Sequence, residues 1–226
     1  MQRVLRIGHR GAAGHAPENT LASIQKGIAL GVDFVEIDIR RTADGMLVAL
    51  HDETVNRTTN GKGRVDRLSL REVKKFDAGD GECIPTLEEV LAVVKGKAGL
   101  MVELKITGVA RQAVEAVREA EFREPVIYAS FLHDELAYVR TSDPGASLMV
   151  LFGRLPQAPV ARAIAYGSSH VGLRHDTATL ALVGACHQAG LLVFVYTADA
   201  LSDIQHARSL GVDGIISNFP DRIAHP

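Results

Sequence analysis

The residues that could do chemistry in this chain are concentrated in four short segments. In Phe34-Val35-Glu36-Ile37-Asp38-Ile39, alternate side chains of an extended strand point to opposite faces. Glu36 and Asp38 therefore share one face, and Val35, Ile37 and Ile39 share the other. At about 3.3 Å of rise per residue, the two carboxylates start about 6–7 Å apart. At an effective dielectric of about 20 they repel by roughly 2.5 kcal/mol, and a bound cation reverses that sign. Leu100-Met101-Val102-Glu103-Leu104-Lys105 repeats the pattern, with Glu103 and Lys105 on one face and Val102 and Leu104 on the other. Glu36, Asp38 and Glu103, with no cysteine or obvious histidine ligand beside them, suit one hard divalent cation, Mg2+ or Ca2+. A structural salt bridge, Glu103 with Lys105 or Arg40, is the plainer alternative. It accounts for one pair and leaves other buried carboxylates unpaired at high cost.

The other two segments are His9-Arg10-Gly11 and His51-Asp52. Two histidines beside a cation supply a general acid and a general base that titrate near neutral pH. Arg10, by a two-pronged contact, and Lys105 can hold phosphate oxygens. A different chemistry is open to Lys105 alone, a Schiff-base amine in an aldolase-type barrel. His15, in the loop Gly14-His15-Ala16-Pro17, is a weaker candidate for substrate contact, and Thr197 and Asn218 are secondary ones. His133, His187, His206 and His225 read as helix-surface or terminal residues, and His175 has no partner in sequence.

Positioning these groups requires a parallel sheet. Short apolar runs alternate with helix-length segments throughout, the pattern of βα units. The strand candidates are Val4–Gly8, Phe34–Arg40, Met46–Leu50, Leu100–Leu104, Val126–Ser130, Leu148–Phe152, His170–Leu173, Leu191–Tyr196 and Gly214–Ser217. Only Arg41-Thr42-Ala43-Asp44-Gly45 separates the second from the third, too little for a parallel crossover and well suited to an Asp-Gly hairpin. Met46–Leu50 is therefore an added antiparallel strand. The remaining eight predict a TIM-type (β/α)8 barrel whose last helix is short or missing. The hairpin returns His51 to the rim. Residues 52–84, carrying Asn60-Gly61-Lys62-Gly63, read as an insertion at the catalytic end of one domain spanning 1–226. Asn19 is the expected cap of a helix ending at Gly31. Thr86 with Glu89 and Ser69 with Glu72 form capping boxes, and Asp199 or Ser202 starts a later helix.

Composition narrows the function classes. The chain has 226 residues, 46% hydrophobic and 23% charged, near the roughly 250 residues of an eightfold barrel. A net charge of −2 argues against a nucleic-acid partner. No apolar run of about 18 residues exists, which argues against membrane insertion. Cys83 and Cys186 have neither metal-ligand nor C-x-x-C spacing and read as two buried free thiols. The first six residues lead into a strand without a signal-peptide pattern, so a cytoplasmic location is expected. No oligomeric state is implied.

In order and spacing the motifs His9-Arg10-Gly11, Pro17-Glu18-Asn19-Thr20, Glu36-x-Asp38, Thr42-x-Asp44-Gly45, His51-Asp52, Arg57-Thr58-Thr59-Asn60-Gly61 and Glu103-x-Lys105 resemble the glycerophosphodiester phosphodiesterases. Ser130-Phe131 and Ser217-Asn218-Phe219-Pro220 extend the likeness over essentially the whole chain. The resemblance implies a TIM barrel that cleaves a small-molecule glycerophosphodiester to sn-glycerol 3-phosphate and an alcohol. It implies Glu36, Asp38 and Glu103 as ligands of the metal, His9 and His51 as the acid/base pair, and Arg10 and Lys105 on the phosphate. Related enzymes acting as lysophospholipases D use the same site. They need an apolar channel, against which the polar insertion (Lys62, Arg64, Asp66, Arg67) argues. Two positions depart from the family pattern. Tyr196 stands where the family usually has tryptophan, as an aromatic wall for the glycerol moiety, and Ser217-Asn218 replaces a common Thr-Asp.

Overall fold

The computed structural model describes residues 3–223; His225 lies outside them. Nine strands are present among these residues: β1 (Leu5–Gly8), β2 (Phe34–Arg41), β3 (Leu47–Ala49), β4 (Gly99–Leu104), β5 (Val126–Ser130), β6 (Ser147–Phe152), β7 (His170–Arg174), β8 (Leu192–Tyr196) and β9 (Gly214–Ser217). Eight of them run parallel in the order β1-β9-β8-β7-β6-β5-β4-β2, and β1 pairs with β2 to close the ring. The fold is thus a TIM barrel. The ninth, β3, lies outside the ring, antiparallel to β2 with Arg40 opposite Val48. Its hairpin turns at Asp44-Gly45, where Gly45 has φ of 88° and Thr42 Oγ1 donates to Asp44 Oδ1.

The helices are α1 (Leu21–Ala29), α2 (Leu70–Val73), α3 (Leu87–Val94), α4 (Ala110–Glu119), α5 (His133–Ser142), α6 (Pro159–Ala165), α7 (Leu180–Gln188) and α8 (Leu201–Ser209); α2 lies within residues 52–84 and the others form the outer layer. Ring residues are covered on both faces, so apolar side chains fill two cores. Val35, Ile37, Ile39, Val102 and Leu104 pack outward against the helices. Ile7, Phe34, Met101, Met149, Phe194 and Ile216 fill the barrel. A third core, Val48, Leu50, Val55, Val65, Val73, Ala78 and Ile84, sits under residues 52–84. Among the described residues, β9 is followed by a 3-10 turn, Pro220–Arg222, and by no further helix.

Both capping boxes form. Two expected caps do not. Thr20, not Asn19, caps α1 by accepting from Ser23 N, and α8 begins after Ala200 without a side-chain cap. Asn19 and Asp199 are committed to the site below, where long-range partners outbid the local backbone. Cys186 is buried as expected, but Cys83 is exposed on the insertion. Among the described residues, no helix is long and apolar enough to cross a membrane.

Candidate active site

The strand register builds the acidic cluster. Asp38 of β2 stands opposite Glu103 of β4, with Glu36 one pleat below, and one ligand oxygen from each of the three lies within 4.8 Å of the others. Glu36 and Asp38 are only 3% and 0% exposed. Glu36 Oε2 accepts from the Arg10 backbone N–H at 2.7 Å, and Asp38 Oδ2 from Asn19 Nδ2 at 2.9 Å. Lys105 Nζ donates to Glu103 Oε1 at 2.7 Å and lies 3.3 Å from Asp38 Oδ1. That second contact is off hydrogen-bond geometry, so Asp38 Oδ1 is a buried oxygen without a donor.

Burial, then the charges of Asp38 and Glu103, hold the Glu36 carboxyl well above the usual range. Burial and Asp38 push Glu103 up to about 7. Burial also opposes ionisation of Asp38, but Lys105 and Arg10 outweigh it and keep Asp38 ionised. Three carboxylates against two cationic side chains leave the cluster short of one positive charge. A divalent ion would turn the balance to net positive, matched to a phosphodiester anion. The all-oxygen donor set, the orphaned Asp38 Oδ1 and the depressed acidity of Glu36 and Glu103 all fit a hard cation.

The histidines flank this cluster with different supports. His9 Nδ1 lies 2.7 Å from Asn218 Oδ1. Asn218 Nδ2 donates to Asp199 Oδ2 at 2.7 Å, while Asp199 Oδ1 accepts from Asn218 N and Ser217 Oγ at 2.8 and 2.9 Å. A carboxylate only accepts, so the amide nitrogen must face Asp199 and the amide oxygen must face His9. Nδ1 of His9 therefore carries the proton, and Nε2 of the neutral ring keeps its lone pair. His51 Nδ1 donates to Asp52 Oδ1 at 2.7 Å, which leaves its Nε2 free in the same way. Burial lowers the pKa of both rings, reinforced at His9 by Arg10 and offset at His51 by Asp38 and Asp52.

A cavity of about 240 Å³ opens at this end of the barrel. His9, Arg10, Glu36, His51, Glu103, Lys105, Tyr196 and Thr197 line it, with Met101, Phe131, Met149, Leu151 and Ile216 on its apolar side. Asp38 lies behind that wall, and Asn218 behind His9. A cleft of about 550 Å³ between α4 and α5 is larger, but its charged lining, Arg111, Glu115, Arg118 and Glu135, includes no histidine and no acidic cluster. Its one buried carboxylate, Glu135, is taken up by the backbone N–H groups of Gly108, Val109 and Ala110.

Several expectations need adjusting. Arg10 and Lys105 both reach the cavity but are paired to acids: Arg10 Nη1 donates to Glu18 at 2.7 Å, and its Nε lies 3.2 Å from Asp38. Burial disfavours the charged form of Lys105, yet Asp38 and Glu103 raise its pKa, which is the wrong direction for a Schiff-base amine. The Tyr196 hydroxyl donates to Phe152 O at 2.8 Å, leaving only its ring, edge-on to Phe131, for a ligand. His15 is bonded to Asp221 at 2.6 Å and does not line the cavity. His175 stands 3.9 Å from Asp203 and His187 2.8 Å from Asp213, both outside it. Sequence reasoning gave no place in the site to Glu18, Asn19, Asp52, Arg57 or Asp199, although Pro17-Glu18-Asn19-Thr20, His51-Asp52 and Arg57-Thr58-Thr59 had marked four of them.

Residues 9–222 match the model of the glycerophosphoryl diester phosphodiesterase family. The chain is 35% identical to a glycerophosphodiester phosphodiesterase of Caldanaerobacter subterraneus subsp. tengcongensis, covering 98% of this chain and 96% of that one. It is 31% identical to one of Bacillus altitudinis, over 96% and 95%. An Oleispira antarctica phosphodiesterase in complex with the product sn-glycerol-3-phosphate superposes with a TM-score of 0.90 at 29% identity, over 96% and 94%. The glycerophosphodiester phosphodiesterase of Agrobacterium tumefaciens gives 0.87 at 29%, over the full length of both chains.

Proposed function

Since the chain belongs to the glycerophosphoryl diester phosphodiesterase family and is a hydrolase of that kind, we propose that it is a metal-dependent enzyme working through His9 and His51. It cleaves small-molecule glycerophosphodiesters to sn-glycerol 3-phosphate and an alcohol. The whole chain, 1–226, acts as one catalytic domain with residues 52–84 as its insertion. The observation that carries the reading is the convergence of Glu36, Asp38 and Glu103 at the wall of a cavity that His9 and His51 also line.

Glu36, Asp38 and Glu103 hold the cation, Mg2+ or Ca2+, which when bound supplies electrophilic charge at the phosphate. Arg10 and Lys105 orient the phosphate by charge from the cavity wall. The lone pair on His9 Nε2 and the matching nitrogen of His51 are placed to take and return protons. One removes the proton of the attacking oxygen and the other protonates the departing alkoxide. Tyr196 and Phe131 wall the side of the cavity with aromatic rings that exclude water and accept the apolar faces of glycerol or the alcohol. The two unpaired cysteines, one exposed, support a reducing, cytoplasmic setting.

The test is phosphorus NMR of glycerophosphocholine and glycerophosphoethanolamine incubated with the enzyme and Mg2+ or Ca2+. The reading expects sn-glycerol 3-phosphate as the phosphorus product. Release of phosphocholine, or no turnover of either ester, contradicts it.

A further inference from the structure

Arg57 does not line the cavity, yet through two carboxylates its guanidinium links two residues that do, His51 and Arg10. Its Nε and Nη2 donate to Asp52 Oδ2 and Oδ1 at 2.7 and 3.1 Å. Its Nη1 and Nη2 donate to Glu18 Oε2 and Oε1 at 2.8 and 2.7 Å. Each of these carboxylates has a second partner in the cavity wall: Asp52 holds Nδ1 of His51, and Glu18 holds Nη1 of Arg10, each at 2.7 Å. The chain of contacts runs His51–Asp52–Arg57–Glu18–Arg10. Its carboxylates come from separate segments, the loop before α1 and the turn after β3.

An exposed ion pair is a poor source of stability, and the Arg57 side chain is 49% exposed. Geometry is what sets it apart. A planar guanidinium that meets two carboxylates at once fixes their separation and their planes, which a lysine ammonium cannot do. Without it, Asp52 can rotate and carry the His51 ring with it, and the longer Glu18 can release Arg10.

We propose that Arg57 is a positioning residue of the insertion, which clamps Asp52 and Glu18 and so fixes the direction in which His51 and Arg10 face the cavity. The proposal rests on the roles given to His51 and Arg10 under the proposed function. In this arrangement the insertion braces the catalytic rim through one side chain, and its small apolar core supplies the rigidity.

The experiment compares the full-length parent, Arg57→Ala and Arg57→Lys on glycerophosphocholine with the divalent ion present. Both variants are expected to keep the parent's circular dichroism and to lose kcat by about tenfold to a hundredfold, the scale of a small misplacement. Added guanidinium chloride at tens of millimolar is expected to restore several-fold of the loss in Arg57→Ala, and to give nothing to the parent. A kcat within twofold of the parent in either variant overturns the proposal. So does a folded Arg57→Ala whose loss guanidinium leaves untouched. Should Arg57→Ala fail to fold, Arg57→Lys alone decides by the same kcat criterion. An inactive parent instead counts against the functional reading itself, so the two failures are told apart.

Discussion

The imidazole of His9 and the amide of Asn218 are locked to each other, Nδ1 to Oδ1 at 2.7 Å, because Asp199 behind them dictates which way the amide points. A hydrogen-bond acceptor two residues removed from the cavity therefore sets the tautomer of a cavity histidine. The same logic, with a carboxylate in direct contact, holds His51 on Asp52.

Asn218→Ala breaks the lock at His9 while leaving the acidic cluster intact. The ring then populates both tautomers and swings about its own bonds. Turnover of glycerophosphocholine is expected to fall about tenfold to a hundredfold with KM little changed. Nitrogen-15 shifts of the imidazole should show the Nδ1-protonated form dominant in the parent and mixed in the variant.

Removing either imidazole removes a proton-transfer partner. His9→Ala and His51→Ala are each expected to lower kcat by about 10²-fold or more. Neither ring packs in the barrel core, so the circular dichroism and thermal melt should stay close to the parent's. Near-normal kcat in both variants would remove the two histidines from the chemistry.

In the metal-free protein Glu36 and Glu103 should subtract stability as pH rises, against the opposite trend of the buried His9, His51 and His170 imidazoles. Glu103 goes from an ordinary 4.5 to about 7 in the folded chain, and Glu36 is displaced the same way. The folded state thus binds these protons more tightly than the unfolded one. The stabilising contribution is complete below the unfolded value and is lost as pH climbs through the folded one. In chelator, the melting temperature of the parent should fall relative to that of Glu103→Gln between about pH 5 and about pH 8. A parent that gains on Glu103→Gln over this interval contradicts the raised pKa of Glu103.

Cation binding should show directly in the melt. An ion at about a hundred times its Kd adds about 2.7 kcal/mol. For a chain of this size that is roughly 5–10 °C. Asp38→Asn, which replaces the central carboxylate, should abolish the increment. Glu36→Gln should also lose most of it, yet melt higher than the parent in chelator because one buried repulsion is gone.

The barrel was legible in the sequence because short apolar runs, covered on both faces, alternate with helix-length segments. Glu36, Asp38 and Glu103 announced themselves as acids set among the apolar residues Val35, Ile37, Ile39, Val102 and Leu104. The hairpin was legible from the Asp44-Gly45 turn, and α3 from the Thr86–Glu89 box. What escaped was every choice made by a distant partner. Asn19 has the right chemistry for a helix cap, but the carboxylate of Asp38, brought alongside by the closed ring, claims its amide, and the next residue caps instead. Asp199 forgoes α8 for Asn218 in the same way. Local propensity cannot reveal such bonds, because their partners lie far off in sequence. Asp38 shares the inward face of β2 with Glu36 as expected, and its full burial, with Asn19, Arg10 and Lys105 packed around it, is what the sequence did not show. Cys83 was expected inside on composition, but it lies on the insertion, whose small core closes without it.

The central claim is that hydrolysis depends on a cation held by Glu36, Asp38 and Glu103. The most direct measurement is glycerophosphocholine turnover by enzyme stripped with chelator, then titrated with Mg2+ or Ca2+, beside calorimetric titration of the same ion into the parent and into Asp38→Asn. The account predicts loss of turnover on stripping and recovery that follows the parent's binding isotherm, with no isotherm in Asp38→Asn. Undiminished turnover in the stripped enzyme, or an unchanged isotherm in Asp38→Asn, would contradict it.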